Sequence, residues 1–249
     1  MDFDVEVRGE GPDLLLLHSL LTDRESYALV APRLARSHRV SLLALPGFGR
    51  TPAAGPKVED FADSVARYVA TLPSAPDVIG NGFGGFIALA LAARHGAKIR
   101  KLVLADTGAC FPESGRAPFR GMAEAVEKNG MEAIVQTAVR RIFPEPYLAA
   151  HPEALAQRRE VLLKANPRNF ASACRALATL DLRPALPGIK NPTLVVVGTL
   201  DAATPPALAR EVAAGIPGAK LVEIQDCGHC PPLERPDDFL AAVEPFLQG

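Results

Sequence analysis

Short apolar runs alternate along the chain with longer stretches in which apolar residues recur at helical spacing. Continuous apolar runs of this kind are typical of strands that are buried on both faces of a sheet. The longer stretches predict amphipathic helices that pack against those faces. The predicted strands are residues 14–17, 40–45, 77–79, 101–105, 193–197 and 220–224, and the predicted helices are residues 24–35, 59–72, 83–95, 206–214 and 236–247.

Strands that alternate with helices imply right-handed crossovers and a mostly parallel sheet, so the predicted fold class is α/β. One block breaks this alternation because it has helical periodicity and no strand pattern. We expect it to form a helical lid over the carboxyl edge of the sheet, where open α/β sheets bind ligands. The predicted core is residues 1–113 and 187–249, the lid is residues 114–186, and its four predicted helices are residues 122–128, 132–141, 152–164 and 166–179.

The composition is that of a globular protein, and it excludes several classes of partner. Of the 249 residues, 48% are hydrophobic and 22% are charged, which is the balance of a chain with a substantial core. The formal net charge of -1 leaves no basic surface for nucleic acid. No apolar run is long enough to span a bilayer, and no secretory leader is visible, so we expect a cytoplasmic protein without a membrane partner. The oligomeric state is not predicted.

The four cysteines, Cys110, Cys174, Cys227 and Cys230, are too few for a disulfide scaffold in a chain of this length. We therefore expect reduced thiols, as in a cytoplasm. Cys227 and Cys230 have a spacing found in zinc sites, but no other cysteine lies near them in the sequence. The sequence therefore predicts neither a metal nor any other cofactor.

A glycine-rich turn follows the predicted strand 77–79 and opens the predicted helix 83–95. Its sequence, Gly-Asn-Gly-Phe-Gly-Gly over residues 80–85, resembles the G-x-S-x-G elbow that presents a nucleophilic serine between a strand and a helix. Gly82 stands at the serine position, and glycine tolerates the strained backbone of such a turn. A dinucleotide-binding loop fits less well because its last glycine spacing is wrong, and a simple packing glycine is the other alternative.

An aspartate and a histidine follow two later strands in the order expected for the other members of a catalytic triad. Asp201 follows strand 193–197 and His229 follows strand 220–224. Each residue alone is weak evidence, but nucleophile position, acid and histidine occur in the order that belongs to the elbow motif. Asp201 would accept the Nδ1 proton of His229, fix its tautomer and stabilise the imidazolium. We predict that both residues are catalytic.

The loop after the first long strand is a candidate for half of an oxyanion hole. It reads His18-Ser19-Leu20, and a backbone N–H of Leu20 or Ser19 would bind the oxyanion together with the N–H of Phe83. Backbone donors need no particular side chain, so the loss of a serine at position 82 leaves the hole intact. The Ser19 hydroxyl could replace the missing nucleophile, although a loop hydroxyl without a catalytic role is more common.

Several segments make the chain similar to the 3-oxoadipate enol-lactonases and related α/β hydrolases. This resemblance implies an α/β-hydrolase fold and cofactor-free hydrolysis of a small lactone that bears a carboxylate. Asp201 and His229 match the acid and the base of that family, whereas Gly82 departs from its serine. The similar segments are residues 18–23, 45–50, 180–185, 198–206, 228–229 and 234–236.

The absence of a serine at position 82 leaves several kinds of chemistry open. In the preferred hypothesis His229 activates a water directly in the space vacated by the serine, and the substrate is a small ester or enol lactone. Alternatively, the His229–Asp201 pair deprotonates a substrate in a cofactor-free lyase or oxygenase reaction. The protein could also bind a ligand without catalysis, or Gly82 could be an engineered replacement for serine.

The substrate is expected to be small or alicyclic, because aromatic residues make up only 6% of the chain and tryptophan is absent. An arginine of the lid could bind a substrate carboxylate in a bidentate manner. The preferred candidates precede Phe143 in the lid. The predicted substrate-binding residues are His18, Asn81, Arg140, Arg141 and Phe143.

Overall fold

A seven-stranded sheet forms the centre of the computed structural model, which describes residues 3–249. Four of its strands are buried at every position, as expected for strands covered on both faces. The strands are β1 (Val5–Arg8), β2 (Asp13–Leu17), β3 (Arg39–Leu43), β4 (Asp77–Asn81), β5 (Leu102–Ala105), β6 (Thr193–Gly198) and β7 (Lys220–Ile224).

The strand order across the sheet is β1-β3-β2-β4-β5-β6-β7. Only β1 is antiparallel to its neighbour, and every other pair is parallel. The chain runs from β2 to β3 on one side and then returns to place β4 on the other side of β2. The carboxyl ends of β2 and β4 therefore flank the point where the winding direction reverses, which is where open α/β sheets bind ligands.

Eleven α-helices accompany the sheet within residues 3–249, and five of them, α4 to α8, lie between β5 and β6. Short 3-10 helices precede or join several of them. The α-helices are α1 (Ala31–Leu34), α2 (Val58–Val69), α3 (Phe83–His95), α4 (Glu113–Asn129), α5 (Val135–Ile142), α6 (Glu145–Ala150), α7 (Glu153–Leu163), α8 (Pro167–Thr179), α9 (Pro206–Gly215), α10 (Pro231–Glu234) and α11 (Pro236–Gln248).

The six predicted strands are confirmed, as are the helices that became α2, α3, α9 and α11. Strand β1 was not predicted, because its four residues are mostly half-buried and show no apolar run. The predicted helix 24–35 is wrong as a single element. It divides into a 3-10 helix, Arg24–Tyr27, and the short α1, since Pro32 starts a new helix at its first turn.

The lid has more helix than the sequence predicts. Helix α4 begins at Glu113 instead of residue 122, and the interior Pro118 obscured its start in the sequence. Helix α6 was not predicted, although Pro144 at its N-cap and Pro146 in its first turn favour a helix start. The lid boundaries at 114 and 186 stay a prediction.

The two faces of the sheet bury separate apolar layers, and the larger layer is continuous with the lid helices. Burial of this continuous layer is the main stabilising force that holds the lid against the sheet. None of the helices described for residues 3–249 combines the length and the apolar character needed to cross a bilayer.

Candidate active site

A sharp turn joins β4 to α3 beside the carboxyl end of β2. Gly82 has φ 54° and ψ -120°, a backbone conformation that residues with a side chain rarely adopt. A Cβ added at Gly84 would overlap the backbone carbonyl of Leu17 at the end of β2. Strand β2 and helix α3 can therefore approach each other this closely only because position 84 is glycine.

The predicted His–Asp pair is present beside this turn. His229 Nδ1 lies 2.9 Å from the Oδ2 atom of Asp201, and both side chains are buried. The Asp201 carboxylate can only accept, so Nδ1 carries the proton and Nε2 presents a lone pair. Asp201 therefore fixes the tautomer in which Nε2 can act as a base.

Asp201 is itself held by a turn that begins at its own side chain. Its Oδ1 accepts hydrogen bonds from the backbone N–H groups of Ala203 and Thr204, at 2.7 and 3.0 Å. The Thr204 hydroxyl donates to Oδ2 at 2.6 Å. Burial alone would raise the pKa of Asp201, but the electrostatic interaction and hydrogen bond with His229, together with the hydrogen bonds from Thr204, hold that pKa below its usual range. Asp201 is thus an ionised carboxylate facing the imidazole.

The Ser19 hydroxyl occupies the space beside Gly82. Ser19 Oγ lies 3.2 Å from His229 Nε2, and the Ser19 side chain is buried. An ideal Cβ built on residue 82 would overlap Ser19 Oγ and would lie 2.7 Å from His229 Nε2. The volume that a serine at position 82 would need is therefore filled by the side chain of Ser19.

The structure separates the two candidates for the first oxyanion donor. The N–H of Ser19 donates to Thr22 Oγ1 at 3.1 Å, so Ser19 is not free to bind an oxyanion through its backbone. No hydrogen bond from the N–H of Leu20 or of Phe83 is found within residues 3–249. Phe83 is also the first residue of α3, where backbone N–H groups lack helical acceptors and favour negative charge. Leu20 and Phe83 are therefore the candidate donors.

A cavity of about 30 Å³ lies over these groups. Its polar side is formed by Ser19, Gly82, Thr204 and His229, and Arg141 of α5 projects into it from the lid. Leucine and phenylalanine side chains supply most of the remaining wall, consistent with the absence of tryptophan from the chain. The apolar lining residues are Leu20, Leu21, Phe83, Phe86, Phe111, Phe119, Leu177 and Ala203.

Arg141 is the one predicted substrate-binding residue that the structure brings to this cavity. Its guanidinium lies 5.8 Å from the ring centre of Phe119, and no carboxylate of residues 3–249 lies within 4.0 Å of it. Burial lowers the pKa of Arg141, and the negative charge of Asp201 partly offsets this effect. A half-buried cation without a counter-ion at a ligand cavity favours an anionic ligand.

Four other predicted substrate-binding residues do not line this cavity. Both ring nitrogens of His18 are engaged by backbone, Nδ1 with the Ser19 carbonyl at 2.8 Å and Nε2 with the Leu45 N–H at 3.1 Å. Asn81 is fully buried and donates to the His229 carbonyl at 3.1 Å. His18 and Asn81 thus position the loops of the site.

Arg140 and Phe143, the two other residues predicted to bind substrate, also lie outside the cavity lining. Arg140 points to the exposed side of α5, 3.5 Å from a carboxylate oxygen of Glu145. Phe143 is buried and stacks on Tyr147, with ring centres 4.7 Å apart. Adjacent residues on a helix point about 100° apart, so Arg140 and Arg141 could not both face the cavity.

Two polar residues that hold the site were missed in the sequence. Thr204 follows Asp201 at the spacing of an aspartate-initiated turn, which is a signal that the sequence contained. Glu234 accepts from the N–H groups of Gly228 and Cys230, at 2.7 and 2.8 Å, and so braces the backbone on both sides of His229. No local sequence pattern predicts the hydrogen bonds that Glu234 makes with Gly228 and Cys230.

Asp106, at the end of β5, is a buried carboxyl close to Asp201. Burial raises its pKa well above the usual range, and the charge of Asp201 raises it further. Burial therefore favours the protonated form of Asp106 in the folded protein, whereas the carboxyl ionises in the unfolded chain above about pH 4. Because the folded state then binds the extra proton, the free energy of unfolding falls as the pH rises.

Replacement Asp106→Asn should reduce this pH dependence. Asparagine cannot ionise, and it tolerates the φ of 46° that Asp106 adopts. We expect the free energy of unfolding of the variant to fall less steeply as the pH rises above about 4, by up to about 1.4 kcal/mol per pH unit. Urea unfolding at several pH values measures the two slopes, and equal slopes would show that Asp106 does not carry the extra proton.

Comparison with known proteins gives consistent results. Residues 14–243 match the model of a family described as the alpha/beta hydrolase family. A pimeloyl-[acyl-carrier protein] methyl ester esterase of Aromatoleum aromaticum is 33% identical, over 96% of this chain and 99% of its own. A second esterase of the same name, from Chromobacterium violaceum, is 33% identical over 100% of this chain and 99% of its own.

Two solved structures have nearly the same fold. The enol-lactonase of Burkholderia xenovorans superposes with a TM-score of 0.92 and 33% identity, covering 99% of this chain and 96% of that one. A thermophilic esterase of Thermogutta terrifontis, in a malate-bound form, superposes with a TM-score of 0.90 and 30% identity, covering 99% of this chain and 93% of that one. The resemblance to enol-lactonases inferred from the sequence is thereby confirmed.

Proposed function

The chain belongs to the α/β hydrolase family, and from this we propose that it hydrolyses a small carboxylic ester or enol lactone with His229 as the general base. The observation that carries the proposal is the buried His229–Asp201 pair, whose imidazole lines a largely apolar cavity. A base that takes a proton from an attacking oxygen and returns it to a leaving oxygen is the group that ester hydrolysis needs.

The proposed reaction uses groups that are already in place before substrate binds. In the hypothesis drawn from the sequence, His229 takes a proton from a water molecule that attacks the carbonyl carbon. The N–H groups of Leu20 and Phe83 would stabilise the negative charge on the carbonyl oxygen. Protonated His229, stabilised by Asp201, would then donate its proton to the departing alcohol or enol oxygen.

The proposed substrate carries a negative charge near the scissile bond. Arg141 supports this choice, because it is the cation at the cavity and has no carboxylate partner within residues 3–249. The names of similar proteins agree with an acyl ester or lactone, and one of those structures binds malate, a dicarboxylate. The apolar lining of the cavity suits a short acyl chain or a small ring.

The test of this function is a panel of small esters and lactones assayed with the purified protein. The panel pairs neutral compounds, such as methyl butyrate and a five-membered lactone, with carboxylate analogues, such as monomethyl glutarate and a carboxymethyl-substituted enol lactone. We expect turnover of at least one class, with the carboxylate member of each pair preferred. Absence of turnover above the buffer rate across the panel would contradict the proposed function.

Arg141→Met should selectively impair substrates that carry a carboxylate. Loss of a charge-assisted hydrogen bond is expected to lower kcat/KM for those substrates about 10- to 100-fold, while neutral esters change little. Arg140→Met is the matched control, since Arg140 lies on the exposed side of the same helix. Steady-state kinetics on paired charged and neutral esters measures the effect. An equal loss on both members of a pair would mean that Arg141 acts on the fold instead of on the substrate charge.

A further inference from the structure

We propose that Ser19 is the catalytic nucleophile of this protein, in place of a serine at position 82. The inference rests on the proposed ester hydrolysis and replaces direct attack by water with attack by the Ser19 hydroxyl. The nucleophile then comes from the loop after β2 instead of the turn after β4. These two loops face each other across the reversal point of the sheet, so either can deliver an oxygen to the same imidazole.

The Ser19 hydroxyl is hydrogen-bonded to the base, His229. Ser19 Oγ lies 3.2 Å from His229 Nε2, and His229 Nδ1 lies 2.9 Å from Asp201 Oδ2. Since Nδ1 donates to the carboxylate, Nε2 can only accept, and the Ser19 hydroxyl must be the donor. A hydroxyl that donates to a histidine oriented by a carboxylate has the arrangement of a serine triad.

The Ser19 side chain fills the volume that a side chain at position 82 would need. A serine at position 82 and a serine at position 19 cannot hold their present backbone positions together, because the Cβ of residue 82 would overlap Ser19 Oγ and would also lie 2.8 Å from Ser19 Cβ, which rotation of the side chain cannot move. Glycine at position 82 is therefore what allows the Ser19 side chain to reach His229. The space left by the missing hydroxymethyl group is occupied by a hydroxyl of the chain, so a water does not need to supply the attacking oxygen.

Ser19 is held in place by hydrogen bonds that do not depend on a bound substrate. Its N–H donates to Thr22 Oγ1 at 3.1 Å, and its carbonyl accepts from His18 Nδ1 at 2.8 Å. Its hydroxyl has no hydrogen-bond partner other than His229 in the part of the chain that the structure describes. Serine hydroxyls in loops often donate to nearby backbone groups, whereas the Ser19 hydroxyl is directed toward the base.

The candidate oxyanion donors, the backbone N–H groups of Leu20 and Phe83, lie next in sequence to Ser19 and Gly82. Leu20 directly follows Ser19, and Phe83 directly follows Gly82, and both line the same cavity as Ser19. The two backbone N–H groups without acceptors thus belong to two loops that line the same cavity as the Ser19 hydroxyl. A carbonyl carbon attacked by Ser19 Oγ would keep its oxygen between them.

The reaction then has two steps. Ser19 Oγ bonds to the carbonyl carbon as its proton passes to His229 Nε2, and the bond to the alcohol oxygen breaks as that oxygen takes the proton. The acyl group is now esterified to Ser19. A water next attacks the acyl carbon and gives a proton to His229, the bond to Ser19 Oγ breaks, and Ser19 recovers the proton as the carboxylic acid leaves.

A fluorophosphonate probe tests the proposal directly, because its reaction does not depend on the identity of the substrate. Attack by a serine on its phosphorus expels fluoride and leaves a stable phosphonyl ester on that serine, whereas a water activated by His229 would only hydrolyse the probe. We expect peptide mass spectrometry of the labelled protein to place the adduct on Ser19. Absence of an adduct, or an adduct on another residue, would overturn the proposal.

Kinetic variants provide the second test. Ser19→Ala should lower kcat for the best substrate of the wild-type protein about 10³-fold or more, and the initial burst of released alcohol should disappear. Ser26→Ala is the matched control, since Ser26 is also buried and its Oγ has no partner within residues 3–249. Circular dichroism verifies that both variants fold.

The two proposals fail in different ways. If the wild-type protein hydrolyses an ester, and Ser19→Ala keeps that activity within a few-fold, the nucleophile assignment is wrong but the hydrolase function stands. If no ester or lactone is turned over while the probe still labels Ser19, the nucleophile assignment stands but the proposed substrate class is wrong.

Discussion

Replacement of His229 by alanine should lower kcat/KM for ester hydrolysis about 10³- to 10⁵-fold, which is the range expected when the base of a catalytic triad is removed. The physical reason is that His229 Nε2 is the base nearest to the attacking oxygen, and Asp201 holds it in the required tautomer. The alanine side chain leaves Asp201 Oδ2 without its hydrogen bond from the imidazole. Steady-state kinetics with the best ester from the substrate panel measures the loss.

A second histidine–carboxylate pair provides the control for this experiment. His95 Nε2 lies 2.6 Å from Asp63 Oδ1 at the far end of α3, outside the cavity. His95→Gln removes a similar pair and should leave kcat/KM within a few-fold of the wild-type value. If His229→Ala retained full activity, His229 would not be the base, and the hydrolase proposal would lose its mechanism.

Movement of the nucleophile from position 19 to position 82 should be possible in two coupled substitutions. Gly82→Ser alone is expected to be nearly inactive and less stable, because the new Cβ overlaps Ser19 Oγ and overpacks a closed site. Ser19→Gly alone should lose about 10³-fold in kcat, since it removes the proposed nucleophile. The double variant removes the overlap and returns a hydroxyl to the turn at the start of α3.

We therefore expect the Ser19→Gly/Gly82→Ser variant to be at least about 100-fold more active than either single variant. Its phosphonyl adduct should lie on residue 82 instead of residue 19. Activities that simply multiply across the two single variants would contradict the coupling that the overlap predicts. Thermal unfolding of all four proteins separates a loss of chemistry from a loss of folding.

The positions of the strand-end loops were predictable because they depend on local patterns. Buried parallel strands appear in the sequence as short apolar runs, and the loop that follows each run is placed at the carboxyl edge of the sheet. Gly82, Asp201 and His229 each follow such a run, which is why the sequence predicts that they lie close together. The half-exposed β1 has no such run, so it was missed.

The direction in which individual side chains point could not be predicted from the sequence as the positions of the loops could. The sequence favoured neither Arg140 nor Arg141, and the choice depended on the rotation of α5 against the core. Likewise, Asn81 and His18 adjoin the correct loops, but their polar atoms are taken up by backbone groups of other segments. Such contacts depend on how distant segments pack, which a local pattern does not encode.

The sequence by itself determined the α/β fold, the glycine at the turn and the order of acid and histidine, because these follow from strand periodicity and from chain order. Only the tertiary structure decided which hydroxyl faces the histidine. Ser19 and His229 are 210 residues apart, and their 3.2 Å contact exists because two loops converge where the winding of the sheet reverses. Whether Gly82 leaves a void or admits a neighbouring side chain is a question of packing between those loops, which is set by the folded chain as a whole.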